Sequence, residues 1–243
     1  MCPEYDFEEE KERLLDGSLV NCDPSLIRLE KTIETLRGGV RRTWYWIDGM
    51  TILRRRFIDI LLSWGVPATD LGVMDERIPS LFLGKRGVDL LVKRQERPTF
   101  VLEFKSGGGH LVSPRARQGR TILTHHWVEP ILANAFDFRQ SFKRPDFAAA
   151  FLVLLRKLRP TSSIPRVGAR ANRKKAILRL QNFASSLLNN TNTVAFLVLG
   201  TDGSELFEID PDRFNLQRFL ESIYEYLKRM YMSPPRKMFF GEW

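Results

Sequence analysis

The sequence predicts an α/β fold with a mixed central sheet flanked by helices, and three of its features lead to that prediction. Two near-continuous apolar runs, DFAAAFLVLL at 146–155 and TVAFLVLG at 193–200, are typical of strands that are covered on both faces. Two shorter strand patterns, DLLV at 89–92 and TFVLEFK at 99–105, are joined by a polar turn at Gln95 to Pro98. Helical patterns lie between the apolar runs and after them, which favours one mixed-sheet domain.

The segments that precede the strands have mainly helical patterns. Asp23-Pro24 marks a helix start, and the pattern LIRLEKTIETLRGG ends at Gly38-Gly39. A longer pattern, WYWIDGMTILRRRFIDILLSWG, has apolar residues at helical spacing and ends at Gly65. Residues 77–87, RIPSLFLGKRG, are predicted to form a short and turn-rich connection.

The segments that follow the first two strands alternate between helix and strand. A helix is predicted at about 127–142, a loop rich in Pro, Ser and Arg at 156–171, and an amphipathic helix in NRKKAILRLQNFASSLL at 172–188. Asp210-Pro211 predicts the start of the last helix, which runs to about Tyr231, because aspartate is a good N-cap and proline is favoured at the first helical position.

Composition places the chain among ordinary globular proteins. Its 243 residues are 43% hydrophobic and 28% charged, which suits a single domain over 1–243 with residues 1–40 as a possible N-terminal helical extension. The two cysteines, Cys2 and Cys22, form neither a disulfide framework nor a CxxC zinc motif. The N-terminus is acidic rather than signal-like, and no apolar run reaches the length of a membrane span, so we expect a cytoplasmic protein.

Charged residues interrupt the two shorter strands at three positions. Asp89 begins the first strand, and Glu103 and Lys105 lie inside the second. Alternation along a strand places Glu103 and Lys105 on one face. If the two strands pair as neighbours, all three charges meet at one edge of the sheet.

Such a cluster suits a hydrolytic metal site. Two carboxylates held close together repel one another, and a divalent cation such as Mg²⁺ removes that repulsion by taking both as ligands. The cation would make a bound water a better nucleophile, and the lysine would orient that water or offset charge on a phosphodiester. The alternative is structural: Glu103 and Lys105 form a buried ion pair in a hairpin, with Asp89 at a strand end.

The pattern Asp89…Glu103-Phe104-Lys105 resembles the signature of the PD-(D/E)xK nuclease superfamily, and more narrowly the type II restriction endonucleases related to XhoI. The likeness runs from about 48 to 155, with weaker similarity through TVAFLVLG, and includes Ile78-Pro79 and the segment NAFDF at 134–138. No proline lies directly before Asp89, so the "PD" of the superfamily name is not literal here.

This resemblance implies a restriction-endonuclease-like core and Mg²⁺-dependent cleavage of both DNA strands at a short palindrome, usually by a homodimer, within a restriction–modification system. Asp89 and Glu103 would be metal ligands and Lys105 the catalytic lysine. Asp59, in FIDILL, resembles an acidic helix position that faces the site and would be a further metal ligand; it is equally well explained as a solvated residue of an amphipathic helix. Two other functions stay open: a structure-selective repair or junction nuclease, and a basic DNA-binding module without catalysis.

The charge distribution favours a polyanionic partner. The formal net charge is +9, and two tracts contain no carboxylate, one between Glu103 and Glu129 and one between Asp146 and Asp202. The predicted DNA-binding residues of these tracts are Arg115, Arg117, Arg120, Arg170, Arg173, Lys174 and Lys175. A solvated basic face is the alternative explanation. Arg54-Arg55-Arg56 would either add phosphate contacts or cover the solvent side of its helix.

Overall fold

The structure is a computed structural model that describes residues 6–15, 54, 56–73, 76–107, 125–143, 146–156, 167–201 and 206–232. The helices are α1 (Phe7–Leu15), α2 (56–63), α3 (His125–Ser141), α4 (Val167–Asn190) and α5 (Leu216–Met232), with a 3₁₀ turn at Ala68–Asp70. The strands are β1 (Leu71–Val73), β2 (Arg77–Ser80), β3 (Gly84–Gly87), β4 (Leu90–Arg94), β5 (Arg97–Gly107), β6 (Ala148–Arg156), β7 (Thr193–Thr201) and β8 (Leu206–Glu208). The α/β prediction is confirmed.

The central sheet has six strands in the order β1-β4-β5-β6-β7-β8. The β5–β6 and β6–β7 pairs are parallel, and the β1–β4, β4–β5 and β7–β8 pairs are antiparallel, so the sheet is mixed as the sequence predicts. The two apolar runs form the central parallel strands β6 and β7, whose side chains are buried on both faces. The short strands β1 and β8, which the sequence analysis did not identify, close the two edges.

The predicted pairing of the two shorter strands is confirmed as the β4–β5 hairpin. Leu90 pairs with Leu102, and the turn residues Gln95 and Glu96 have φ of 53° and 61°. Two successive left-handed residues are the backbone of a type I′ turn, which matches the twist of an antiparallel pair. The hairpin thus brings the start of β4 beside the second half of β5.

Helices α3 and α4 cover one face of the sheet. The ring of Phe138 in α3 stacks on Phe151 of β6, and the ring of Phe183 in α4 meets Phe196 of β7 edge-on. In register, Glu103 is the β5 partner of Phe151, so this is also the face to which Glu103 points.

Helices α2 and α5 cover the opposite face. Phe57 of α2 packs against Phe104 of β5, and Tyr226 of α5 packs against Phe100 of the same strand. Helix α1 lies on α5 through an edge-on contact of Phe7 with Tyr224. The part of the N-terminal 40 residues that the structure describes therefore packs on the core of the domain.

Three predictions differ from the structure: one connection and two helix starts. Residues 77–87 form a second hairpin, β2–β3, with Arg77 paired to Gly87. Helix α4 begins at Val167, inside the predicted loop. Helix α5 begins at Leu216 rather than at Asp210, because Asp210 instead closes a separate turn: its backbone oxygen accepts hydrogen bonds from Arg213 and Phe214.

The N-cap of α5 is therefore Asn215, whose Oδ1 accepts a hydrogen bond from the backbone N–H of Arg218 at 3.3 Å. The predicted helix that ends at Gly38-Gly39 lies outside the described residues. Among the helices that the structure describes, none is long and apolar enough to cross a membrane.

Candidate active site

Asp89 lies directly before β4, and its side chain, rather than its backbone, makes the next hydrogen bond to β5. Its Oδ2 accepts a hydrogen bond from the backbone N–H of Phe104 at 3.0 Å, and its Oδ1 lies 3.0 Å from Nη2 of Arg54 on the neighbouring helical segment. The side chain is 27% exposed. Asp89 is therefore fixed against β5 through the Phe104 N–H, and its side chain is partly exposed.

Glu103 and Lys105 share the face of β5 that the alternation predicted. Lys105 Nζ donates a hydrogen bond to Oε2 of Glu103 and lies 3.9 Å from Oδ2 of Asp89. The structure thus brings Asp89, Glu103 and Lys105 into one cluster at the point where β4 begins.

The carboxylate of Glu103 is buried and only half satisfied. Its side chain is 2% exposed, and Asn134 of α3 donates a hydrogen bond to its Oε2 at 3.0 Å. Its Oε1 is also buried, and no hydrogen-bond partner for it occurs among the described residues. A buried carboxylate oxygen without a partner is a costly feature that a native fold seldom keeps without a ligand or a water to satisfy it.

Burial raises the pKa of Glu103 above the ordinary value for a glutamate, and the charge of Asp89 raises it further. The positive charges of Lys105 and Arg86 oppose that shift. The net direction is upward, so the fold on its own disfavours the ionised form of this carboxyl group. A cation bound beside it would reverse that preference.

The donor set suits a hard divalent cation. Asp89 and Glu103 supply carboxylate oxygens, among them Oε1, which no described residue engages. Mg²⁺ characteristically takes one or two carboxylates and completes its shell with water and phosphate oxygens. Asn134 holds Glu103 in place through its other oxygen. Asp89 and Glu103 are the residues that could hold the metal.

Asp59, the further predicted ligand, lies on an exposed position of α2. Phe57 and Ile60 of the same helix point into the core. Among the described residues, no group of three or more His, Cys, Asp or Glu side chains is placed to share a metal ion, so the structure does not bring Asp59 to the carboxylate pair.

The predicted DNA-binding residues fall into three groups. Arg115, Arg117 and Arg120 lie outside the described residues. Arg170 and Arg173 lie in α4, but their side chains are outside the described part of the structure. Lys174 and Lys175 of α4 are exposed, which agrees both with phosphate contact and with a solvated face.

Arg54 and Asn134 belong to the cluster and were missed as site residues. Arg54 is buried against Asp89, so it does not cover the solvent side of its helix as one interpretation supposed. Each of the two residues lies on a buried helical stripe, Arg54 three residues before Phe57 and Asn134 three residues after Ile131. The sequence signal that could have identified both residues is a polar side chain within the apolar stripe of a helix.

Comparisons with family models, with curated proteins and with solved structures found no match to the chain.

Proposed function

We propose that this chain is a Mg²⁺-dependent endonuclease that hydrolyses phosphodiester bonds of double-stranded DNA at a short palindrome, as type II restriction endonucleases do. The observation that carries the proposal is the Asp89–Glu103–Lys105 cluster, in which Oε1 of Glu103 is buried with no hydrogen-bond partner in the described part of the chain. A purely structural ion pair needs only the one oxygen that Lys105 and Asn134 already engage.

Each side chain of the cluster has a distinct task in this proposal. Asp89 and Glu103 hold Mg²⁺, which when bound supplies a more acidic water and stabilises negative charge on the phosphate. Asn134 orients Glu103 by its hydrogen bond, and the Phe104 N–H orients Asp89. Lys105, which contacts Glu103 and lies 3.9 Å from Asp89, would orient the attacking water or offset charge that develops in the transition state.

The surroundings support DNA as the substrate. The net charge is +9, and Lys174, Lys175 and Arg179 are exposed on α4 within a tract that contains no carboxylate. The site lies on the antiparallel β4–β5 pair of a mixed sheet whose β5–β6 and β6–β7 pairs are parallel. A homodimer is part of the proposal because a two-fold symmetric enzyme matches the symmetry of a palindrome.

Divalent-dependent cleavage of a mixed-sequence plasmid tests this function. We expect discrete fragments with Mg²⁺ and none with a chelator. Glu96→Gln, which alters an exposed carboxylate in the β4–β5 turn, is the matched control for Glu103→Gln and should cleave normally. Cuts only at branched DNA would instead indicate a junction nuclease. DNA binding without any cleavage would contradict the proposed catalysis.

A further inference from the structure

The tip of the β2–β3 hairpin presents three consecutive large apolar side chains to solvent. Leu81, Phe82 and Leu83 are 62%, 60% and 71% exposed. Leu132 and Phe136 of α3 are exposed beside them, and the ring of Phe136 stacks on that of Phe82 at 6.0 Å. A contiguous exposed apolar patch of this kind marks an interaction surface.

Hydrogen bonds anchor this tip to α3 and within its own turn. The buried carboxylate of Asp137 accepts hydrogen bonds from Ser80 Oγ at 2.7 Å and from the backbone N–H of Leu81 at 2.9 Å. Ser80 Oγ in turn accepts a hydrogen bond from the backbone N–H of Leu83 at 3.1 Å. Ordering this turn costs conformational entropy that burial of its own apolar side chains does not offset. A turn ordered in this way lowers the entropy cost of binding a partner.

The same helix ties the tip to the candidate active site. Asn134, which donates to Glu103, and Asp137, which fixes the tip, lie one turn apart on α3. Arg86 of β3 lies 3.3 Å from Asp137, and its charge also acts on Glu103. The position of the tip is therefore set relative to the carboxylates rather than to a distant part of the surface.

The charges around the tip favour a polyanion over a second copy of the chain. The exposed face of the hairpin carries Arg77 and Lys85, and residues 77–87 contain no carboxylate. Two copies meeting through this patch about a two-fold axis would bring like charges together. Duplex DNA offers phosphates to the two cations and stacked bases to the apolar tip.

We propose that the Leu81–Phe82–Leu83 tip is a wedge that enters a base step of duplex DNA and unstacks it, while Arg77 and Lys85 contact the flanking phosphates. Apolar side chains of this kind, inserted from a basic surface, unstack and kink DNA in many minor-groove complexes. This inference rests on the proposed nuclease function and adds to it the mode in which the substrate is held.

Permanganate oxidation of unstacked thymines tests the wedge. The full-length protein is incubated with a mixed-sequence plasmid in Ca²⁺, in place of Mg²⁺, and oxidised thymines are located by primer extension. We expect severalfold higher reactivity at bound sites with the wild type and near-background reactivity with Phe82→Ala. DNA affinity should fall about tenfold in that variant, within the range for removing one aromatic ring that stacks on a base. Leu62→Ala, at an exposed leucine of α2 on the other face of the sheet, is the matched control and should behave as the wild type.

The outcomes distinguish failure of the wedge proposal from failure of the proposed nuclease function. Wild-type binding and cleavage with equal thymine reactivity in Phe82→Ala would overturn the wedge and leave the proposed function standing. A wild type that neither binds nor cleaves DNA would overturn both. Sedimentation covers the remaining possibility: a dimer that dissociates in Phe82→Ala, with unchanged DNA affinity per chain, would show that the tip meets a second copy and would overturn the wedge. An unchanged thermal midpoint verifies that each variant is folded.

Discussion

Glu103 and Asp137 are two buried carboxylates at helix α3: Glu103 of β5 accepts a hydrogen bond from Asn134 of that helix, and Asp137 is part of it. Their hydrogen bonding differs. Asp137 has both oxygens engaged: Oδ1 by the N–H of Leu81 and the hydroxyl of Ser141, and Oδ2 by Ser80 and Arg86. Glu103 has one oxygen engaged and one buried without a partner among the described residues.

The pKa values follow this difference. Burial tends to raise the pKa of Asp137, but the hydrogen bonds from Ser80 and Leu81 and the charge of Arg86 outweigh it, so the net shift is downward. The pKa of Glu103 is shifted upward. The fold itself satisfies the ionised form of Asp137 but not that of Glu103. On this difference we propose that Asp137 has a structural role and Glu103 a catalytic one.

The strongest test of this assignment is the loss of each carboxylate charge. Glu103→Gln should abolish Mg²⁺-dependent cleavage, as should Asp89→Ala, because each change removes a metal ligand. The thermal midpoint of Glu103→Gln should be unchanged or slightly raised, since a carboxyl with an elevated pKa gains nothing from being ionised in the fold. Plasmid cleavage and thermal unfolding of the same preparations measure both effects. Wild-type cleavage by Glu103→Gln would show that the cluster is not a metal site.

Lys105 distinguishes a catalytic role from a structural ion pair. We expect Lys105→Ala to lower the single-turnover cleavage rate by about 10²–10³-fold, with little effect on DNA affinity or on the midpoint, because the lysine acts in the transition state. As the partner of Glu103 in a structural pair, its removal would instead destabilise the fold by about 3–5 kcal/mol. A collapsed midpoint with a near-normal rate for the folded fraction would favour the structural explanation.

Asp137→Asn should show the reverse behaviour of Glu103→Gln. Loss of the carboxylate leaves Arg86 without its buried partner, and we expect destabilisation of about 3 kcal/mol at neutral pH. Because the folded pKa of Asp137 is lowered, its contribution is present above the ordinary aspartate pKa and is lost as the pH falls through the lowered value. Unfolding measured from neutral to acidic pH should therefore show a smaller acid loss in the variant. Equal acid sensitivity in the two proteins would argue against the anchoring role.

We expect a smaller effect, on DNA binding, from neutralising basic residues of α4. Neutralising Arg173, Lys174 and Lys175 together should weaken DNA binding and flatten its salt dependence, by about 0.9 in log–log slope for each phosphate that the variant no longer neutralises. The midpoint and the rate of the chemical step should not change. Binding measured at several salt concentrations checks this, and an unchanged slope would mean that this part of α4 only faces solvent.

The sequence predicted what depends on local pattern and not what depends on long-range contact. Period-two alternation placed Glu103 and Lys105 on one face of a strand, and the polar turn paired that strand with the one that Asp89 begins. The site contacts from helices were not predictable in this way, because the bond from Asn134 to Glu103 spans 31 residues and that from Arg54 to Asp89 spans 35.

The β2–β3 hairpin was missed for a related reason. RIPSLFLGKRG has no extended alternating run, and the short strands are held by Asp137, which lies 56 residues beyond Leu81. The last helix was placed too early because Asp210-Pro211 has the residue types of a helix start but forms a separate turn. Both Asp210 and Asn215 are residue types that suit a helix N-cap. Tertiary contacts decide which of the two begins the helix.

The central claim is that Glu103 binds a divalent cation and Asp137 does not. The effect of Mg²⁺ on the thermal midpoint tests this claim most directly. The thermal midpoint is measured without metal and with saturating Mg²⁺ for the wild type, Glu103→Gln and Asp137→Asn. A ligand that binds only the folded state raises the midpoint by mass action. We predict a rise for the wild type, a similar rise from a lower starting midpoint for Asp137→Asn, and none for Glu103→Gln. No rise in the wild type, or an equal rise in Glu103→Gln, would contradict the account.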